Sequence, residues 1–326
     1  MVKHTREEFN NLALKLREKG FYKPKEKRKI DWNAYTLNQI NDIIDTLYFI
    51  RINVDKIHTP TSNRHKPVGR PATDAGILAK SILFVELFGI PERKSEGWLM
   101  IIGHQMGIHQ RIDDRVLGKA YKRHDVIRIL ESVFLNNRSS DGNNCGDGTG
   151  LEKSRKENYE TTKKKNLYMT SVVDSREIVL AFDISGKQEC RIMHLLVLEL
   201  KKIIESSGSK ELKVKLTLDA GFVDRKLAQL IEDSGLTPYI FPKKNLTLKS
   251  RGSPAWRKMW LNLLNSVQEW LQEYHIRSHS ESFHSSFKRI FGIITKDSDE
   301  STYTQVLCRI IHNNRRKLNY FQMASL

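Results

Sequence analysis

The sequence predicts an α/β fold, a mixed sheet flanked by helices and preceded by a helical N-terminal region. Two observations predict it. Apolar residues recur at helical spacings through the first half of the chain, without a convincing strand pattern. After residue 138, short runs rich in β-branched and aromatic residues alternate with helical patterns, which is typical of helices packed on a sheet. We therefore divide the chain into a helical region at 1–137 and an α/β domain at 138–326.

The first half of the chain carries helical patterns with identifiable boundaries. We expect helices at residues 1–20, 31–52 and 121–136. Asp74 is positioned to cap a further helix that stops before Gly89. Two basic segments that contain proline, residues 23–29 and 58–74, predict exposed linkers between these helices.

The second half opens with a turn-rich segment, residues 138–150, made mostly of polar residues and glycine. Two β-rich runs follow at 168–173 and 177–184, and the residues between them predict a hairpin. A helix, a strand, a helix and a strand are then expected at 190–206, 214–221, 225–234 and 237–241.

The charge balance limits the classes of function. The chain has 55 Lys and Arg against 38 Asp and Glu, a formal net charge of +17. Such a field attracts polyanions and is typical of proteins that bind nucleic acid, ribosomal proteins included. Three widely spaced cysteines without a CxxC pair argue against a disulfide framework or a zinc finger. Because no run of about 18 apolar residues occurs, we expect no membrane span and a cytoplasmic protein.

Two aspartates occur where a ligand site is plausible. Asp147 lies among glycines, which would let a phosphate backbone approach closely. Asp219 follows a β-rich run, and ligand groups in open sheets gather beyond the carboxyl ends of strands. Either acid alone would indicate no more than a turn or a cap.

The segment from Tyr274 to Lys288 gives a more specific pattern. On a helix that advances about 100° per residue, Arg277, Glu281 and Lys288 fall within a wedge about 60° wide. The opposite face is apolar and consists of Ile276, Phe283, Phe287 and Ile290. Ordinary salt bridges on a solvated face would also give this pattern. Cations on both sides of one acid favour instead phosphate binding beside a metal.

The spacing Tyr274-x2-Arg277-x3-Glu281-x6-Lys288 resembles the Tyr-Arg-Glu-Lys signature of bacterial and archaeal insertion-sequence transposases of the DDE class. The DGTG that begins at Asp147 and the DAGF that begins at Asp219 resemble the first two acidic motifs of that family. The resemblance covers about residues 140–320 of the chain.

The resemblance implies an RNase H-like catalytic domain at 138–326 in which Asp147, Asp219 and Glu281 bind two divalent cations, Mg²⁺ or alternatively Mn²⁺. Asp141 and Asp183 remain alternatives for the first acid, and Asp183 ends a clear β-rich run. The family usually places that acid at the end of an apolar strand, which residues 138–150 do not resemble.

The resemblance also implies the activity and the partners. The enzyme would cleave double-stranded DNA at transposon ends and transfer the strands into target DNA, as a homodimer on DNA in a prokaryotic nucleoid. The helical region at 1–137 would bind the DNA ends. The residues expected at the DNA are Tyr274, Arg277, Lys288, Lys243 and Lys244. A related metal-dependent nuclease and an inactive, transposon-derived DNA-binding protein are the alternatives.

Overall fold

The computed structural model describes residues 6–18, 20–23, 29–59, 72–154, 166–186, 188–206, 214–244 and 246–324. Most of the two predicted linkers, 23–29 and 58–74, lies outside the described residues. The chain forms two compact units. The first comprises Met1–Lys29, Ser139–Leu151 and Asn166–Phe287, and the second comprises Ile30–Arg138, Glu152–Lys165 and Lys288–Leu326.

The secondary structure follows the predicted order except at Asn143–Glu152, which forms a strand that was not predicted. The helices are α1 (Arg6–Lys15), α2 (Trp32–Ile40), α3 (Asp42–Ile57), α4 (Ala75–Phe88), α5 (Glu92–Ile102), α6 (Asp114–Ala120), α7 (His124–Asn136), α8 (Glu189–Ser206), α9 (Arg225–Asp233), α10 (Pro254–Asn265), α11 (Val267–Tyr274), α12 (Ser278–Phe291) and α13 (Asp299–Ala324). The strands are β1 (Asn143–Glu152), β2 (Asn166–Asp174), β3 (Val179–Asp183), β4 (Lys215–Leu218) and β5 (Thr237–Ile240). Short 3-10 segments occur at Gly103–Met106, Ala220–Phe222 and His275–Arg277.

The first unit is built on a mixed five-stranded sheet with the strand order β3-β2-β1-β4-β5. Strand β4 runs parallel to both β1 and β5, whereas β2 and β3 are antiparallel. Helix α8 packs across β2 and β3 through a buried apolar face. This mixed sheet, flanked by helices and preceded by helices, confirms the predicted α/β class and is consistent with an RNase H-like fold.

The turn prediction for residues 138–150 was wrong over most of its length. Strand β1 begins at Asn143 and occupies the centre of the sheet. Its polar and glycine-rich composition hides a strand because burial comes from its neighbours: Asn144 and Cys145 are fully buried, and the backbone pairs with β4. Tertiary packing therefore overrides the local sequence preference, and only Gly142, with φ of 88°, keeps a turn conformation before the strand.

The helix predicted across Tyr274 and Lys288 is interrupted. Helix α11 ends at Tyr274, the 3-10 segment follows, and α12 begins at Ser278. Of the predicted apolar face, Phe283 and Phe287 are fully buried, whereas Ile276 is partly buried and Ile290 is exposed near the end of α12. The Nε2 atom of the buried His284 lies 3.0 Å from the Ser171 hydroxyl on β2, which fixes α12 against the sheet.

The second unit is helical in its described part. Asp74 caps α4 by accepting a hydrogen bond from the backbone N–H of Ile77, as predicted. The buried carboxylate of Glu86 on α4 accepts hydrogen bonds from Tyr121, from Gln305 and, at 3.0 Å, from Arg309. A buried charge is tolerated when it is paired and hydrogen-bonded in this way. In the described part of the chain, no helix is both long and apolar enough to span a membrane.

Candidate active site

Two neighbouring parallel strands bring Asp147 and Asp219 to the same level of the sheet. Gly146 on β1 is the register partner of Leu218, the last residue of β4. Asp147 follows Gly146 and Asp219 follows Leu218, so the backbones of the two aspartates are adjacent. The position of Asp219 just past a strand end is the one that the sequence indicated.

One carboxylate oxygen of each aspartate binds the backbone N–H of the following residue, and the other oxygen faces Arg277. Asp147 Oδ1 accepts a hydrogen bond from the N–H of Gly148 at 2.9 Å, and Asp219 Oδ1 accepts one from Ala220 at 2.6 Å. The Arg277 Nη2 atom lies 3.8 Å from Asp147 Oδ2 and 3.9 Å from Asp219 Oδ2. Both Oδ2 atoms therefore face the same guanidinium.

Glu281, in the first turn of α12, is the third acid beside Arg277. Its Oε1 atom lies 2.7 Å from Arg277 Nη1, an i,i+4 pair that spans the junction between the 3-10 segment and α12. The structure thus brings Asp147, Asp219 and Glu281 together around Arg277. Their side chains are 18 %, 45 % and 57 % exposed, so Asp147 forms the buried base of the group and Glu281 its open side.

The two alternatives for the first acid lie elsewhere. Asp141 precedes β1 and binds the backbone N–H of Asn143 and the Ser175 hydroxyl. It is six residues before Asp147, which is about 20 Å along an extended strand. Asp183 ends β3, an edge strand that β2 separates from β1, and it accepts a hydrogen bond from Ser185.

The electrostatics of the group reflect crowded negative charge. Burial raises the pKa of the Asp147 carboxyl, and the charges of Asp219 and Glu281 raise it further, against the Gly148 N–H and Arg277. Burial acts to lower the pKa of the Arg277 guanidinium, but Tyr274 and the three acids outweigh it and raise that pKa. Three carboxylates around one guanidinium leave a formal excess of two negative charges.

This donor set fits hard divalent cations. All three acids offer carboxylate oxygens, which are the ligands that Mg²⁺ prefers. Three acids against one Arg277 leave negative charge that the guanidinium does not neutralise, and the raised pKa of Asp147 reflects first its burial and then this charge. The cluster therefore has both the ligand chemistry and the unbalanced charge that a pair of such ions requires.

The other predicted residues are distributed around this group. The Tyr274 ring contacts Phe241, with ring centroids 5.2 Å apart, and stacks nearly parallel on Trp270, with centroids 5.1 Å apart. Burial raises the pKa of its phenol far above the ordinary value, so it stays neutral. Lys243 and Lys244 are exposed just past β5, whose last residue pairs with Leu218 next to Asp219.

Lys288 is exposed on α12, seven residues and therefore about 10 Å along the helix from Glu281. It is grouped with the second compact unit.

The sequence did not indicate how the glycines beside Asp147 determine the packing around β1. A Cβ atom on Gly146 would lie 2.7 Å from Met193 Cε and 2.8 Å from Leu218 Cδ2. A Cβ atom on Gly148 would lie 2.3 Å from a carboxylate oxygen of Glu189, the first residue of α8. These glycines allow α8 and β4 to pack closely against β1 next to Asp147, whereas the sequence suggested that they let a phosphate backbone approach.

Comparison with known protein families identifies the group to which these motifs belong. Residues 123–310 match the family model described as the transposase DDE domain. No curated protein and no solved structure matches the chain significantly. The family match spans more than half of the 326 residues and includes β1, β4 and α12, which carry the three acids. The chain therefore belongs to the transposase DDE domain family.

Proposed function

We propose that the protein is an insertion-sequence transposase of the Tyr-Arg-Glu-Lys signature class, of bacterial or archaeal origin. It would cleave DNA at the ends of its own element and join those ends to target DNA. The observation that carries this proposal is the convergence of Asp147, Asp219 and Glu281 on Arg277.

The three acids would hold two divalent cations, Mg²⁺ or Mn²⁺. When bound, such ions activate the attacking oxygen and stabilise the leaving oxygen of a phosphodiester. Asp147 and Asp219 are suited to this role because each keeps one oxygen tied to its own backbone and the other free of hydrogen bonds to Arg277. The strand pairing between β1 and β4 fixes their separation before substrate arrives.

Arg277 would act on both the protein and the DNA. Its Nη1 atom is ion-paired with Glu281 at 2.7 Å, whereas its Nη2 atom is 3.8 and 3.9 Å from the aspartates, beyond hydrogen-bonding distance. Nη2 can therefore bind a backbone phosphate oxygen without giving up a hydrogen bond. Tyr274, held in place by Phe241 and Trp270, would give the site a rigid side next to Arg277.

The remaining lysines would guide the DNA backbone. Lys243 and Lys244 lie at the same edge of the sheet as Asp219 and are exposed. Lys288 would contribute from α12. We propose that residues 138–326 form the catalytic domain and that residues 1–137 bind the transposon ends, with two copies of the chain pairing the ends as a homodimer. The net charge of +17 supports a polyanionic partner.

A cleavage assay on the DNA that flanks the gene tests this function. Purified protein, a donor plasmid with both flanks and a target plasmid are incubated with Mg²⁺, and the products are separated on gels. We expect Asp219→Asn and Glu281→Gln to lower cleavage by more than about 100-fold while DNA binding is kept. Asp233→Asn and Glu269→Gln, the same changes at exposed positions of the first unit, should cleave normally.

The products decide between the candidate activities. Joined donor and target strands would establish transposition, whereas cleavage without joining would establish a nuclease. Binding without cleavage in either Mg²⁺ or Mn²⁺ would indicate an inactive DNA-binding protein. Cleavage that persists in excess chelator, or in the Asp219 and Glu281 variants, would rule out the proposed site.

A further inference from the structure

A second cluster of metal-ligating side chains lies in the first unit. Cys190 and His194 are one helical turn apart on α8, and Asp224 caps the N-terminus of α9. One ligand atom from each residue lies within 4.8 Å of the other two, and all three side chains are partly exposed. None of these residues belongs to the group around Arg277. Sequence spacing does not reveal the cluster, because the third ligand comes from a different segment.

The hydrogen bonds of His194 determine which ring nitrogen is free. Its Nδ1 atom lies 2.8 Å from the backbone carbonyl oxygen of Cys190. A carbonyl oxygen only accepts, so Nδ1 carries the proton and Nε2 presents its lone pair. Nε2 in turn lies 3.4 Å from Asp224 Oδ2. A cation placed between this lone pair and the carboxylate would bind both of them.

The spacing favours the metal ion. Two ligands 2.0–2.1 Å from a tetrahedral ion are about 3.4 Å apart, which is the separation of His194 Nε2 and Asp224 Oδ2. The other oxygen of Asp224, Oδ1, accepts a hydrogen bond from the backbone N–H of Lys226 at 3.1 Å, so Oδ2 remains available. The Nδ1–carbonyl bond of His194 is the usual orienting contact of a metal-bound imidazole.

We propose that Cys190, His194 and Asp224 bind one transition-metal cation of the Zn²⁺ class, with the fourth coordination position open to water. A thiolate and an imidazole select Zn²⁺ or Co²⁺ over Mg²⁺, whereas a group of carboxylates favours Mg²⁺. The two sites of the first unit therefore select different ions. This inference does not depend on the proposed transposase activity.

The ion would brace the segment that carries Asp219. Only four residues separate Asp219 from Asp224, and the 3-10 turn Ala220–Phe222 lies between them. Helix α8 begins at Glu189, whose carboxylate lies against Gly148 beside Asp147. An ion that ties α8 to the start of α9 would thus fix the β4–α9 connection relative to β1. Its role is structural, as a positioning element for the acids.

Cobalt binding tests the site directly. The full chain, stripped with chelator, is titrated with Co²⁺ in excess Mg²⁺ and in the absence of DNA. We expect one Co²⁺ per chain, with the charge-transfer absorption of a thiolate ligand, displaced by Zn²⁺. Cys190→Ala and His194→Ala should lose this absorption and bind Co²⁺ at least about 10-fold more weakly. Asp219→Asn, in the other acid group, and His104→Ala, an exposed histidine, should keep it.

Thiol protection gives a second measurement on the unaltered protein. Cys145 and Cys308 are buried, so Cys190 is the cysteine open to alkylation in the native fold. We expect Zn²⁺ to slow alkylation of Cys190 by at least about 10-fold, and Mg²⁺ to leave the rate unchanged. Absence of the cobalt absorption in the unaltered protein, its persistence in Cys190→Ala, or an alkylation rate indifferent to Zn²⁺ would overturn the inference. Failure of DNA cleavage would not affect these readouts.

Discussion

Replacing Gly146 with alanine tests whether packing beside β1 sets the position of the acids. Gly146 precedes Asp147 and pairs with Leu218, which precedes Asp219. An added Cβ would lie 2.7 Å from Met193 Cε and 2.8 Å from Leu218 Cδ2. Both distances fall about 0.7–0.8 Å short of a carbon–carbon contact of 3.5 Å. Because both side chains are fully buried, either Met193 and Leu218 must change rotamer or α8 or β4 must move away from β1 at the level of the site.

The expected losses follow from this displacement. Overpacking a close-packed core costs about 1–3 kcal/mol, and the reduced freedom of the unfolded chain returns about 0.4–1 kcal/mol. We expect Gly146→Ala to lower the free energy of unfolding by about 1–2 kcal/mol. Because a shift of about 1 Å in a reacting group can cost about 100-fold in rate, we expect cleavage to fall by about 10- to 100-fold.

The assay measures cleavage rate and urea unfolding on the same preparations. Gly97→Ala is the control, because a Cβ there meets no atom within 4 Å. Adding Met193→Ala to Gly146→Ala removes the closest contact but leaves that with Leu218, so cleavage should recover in part although stability does not. A Gly146→Ala variant with normal cleavage would refute the idea that this packing positions Asp147, whatever its stability.

Two further predictions concern charge. Arg277→Ala should raise the pKa of Asp147 further, since Arg277 opposes its rise. The same change should reduce the slope of log K against log salt for DNA binding by about 1. Arg257→Ala, which removes an exposed arginine, is the control in the same titrations. His312 is buried, and burial lowers its pKa to about 4 from 6.5, so its neutral form favours folding above pH 6.5. Protonation of the unfolded chain should remove about 3 kcal/mol of stability between pH 6.5 and 4, measured by urea unfolding, and His312→Gln should flatten that dependence.

Periodicity predicted most of the fold because most elements carry their own pattern. Strands β2 to β5 and helices α8 and α9 are apolar or amphipathic in isolation, so local sequence is sufficient. The predicted helix at 31–52 is two helices, α2 and α3, divided at Asn41. The helix predicted at 1–20 ends earlier than expected, at Lys15, and residues 1–5 lie outside the described residues.

Strand β1 could not be predicted in this way. Its segment contains Gly146, Gly148 and Gly150, which have no side chains to form an alternating pattern. Its strand conformation depends on β4, 70 or so residues away, and on Met193 of α8. Periodicity cannot report contacts that distant in sequence. The DGTG motif, through its resemblance to the transposase family, indicated Asp147 as a site residue, whereas the secondary-structure pattern indicated only a turn.

The arrangement of the acids is maintained by the fold against their own repulsion. Sheet pairing holds Asp147 and Asp219 side by side, and the anchoring of α12 through His284 and Ser171 holds Glu281 nearby. Arg277 offsets part of that repulsion, yet the pKa of Asp147 stays raised because this acid is the most buried of the three. Cations bound at the acids would relieve the same repulsion. The charge crowding at the acids would therefore be the source of the site's affinity for such ions, and residues that prevent the acids from separating, Gly146 foremost, would contribute to that affinity without touching a ligand.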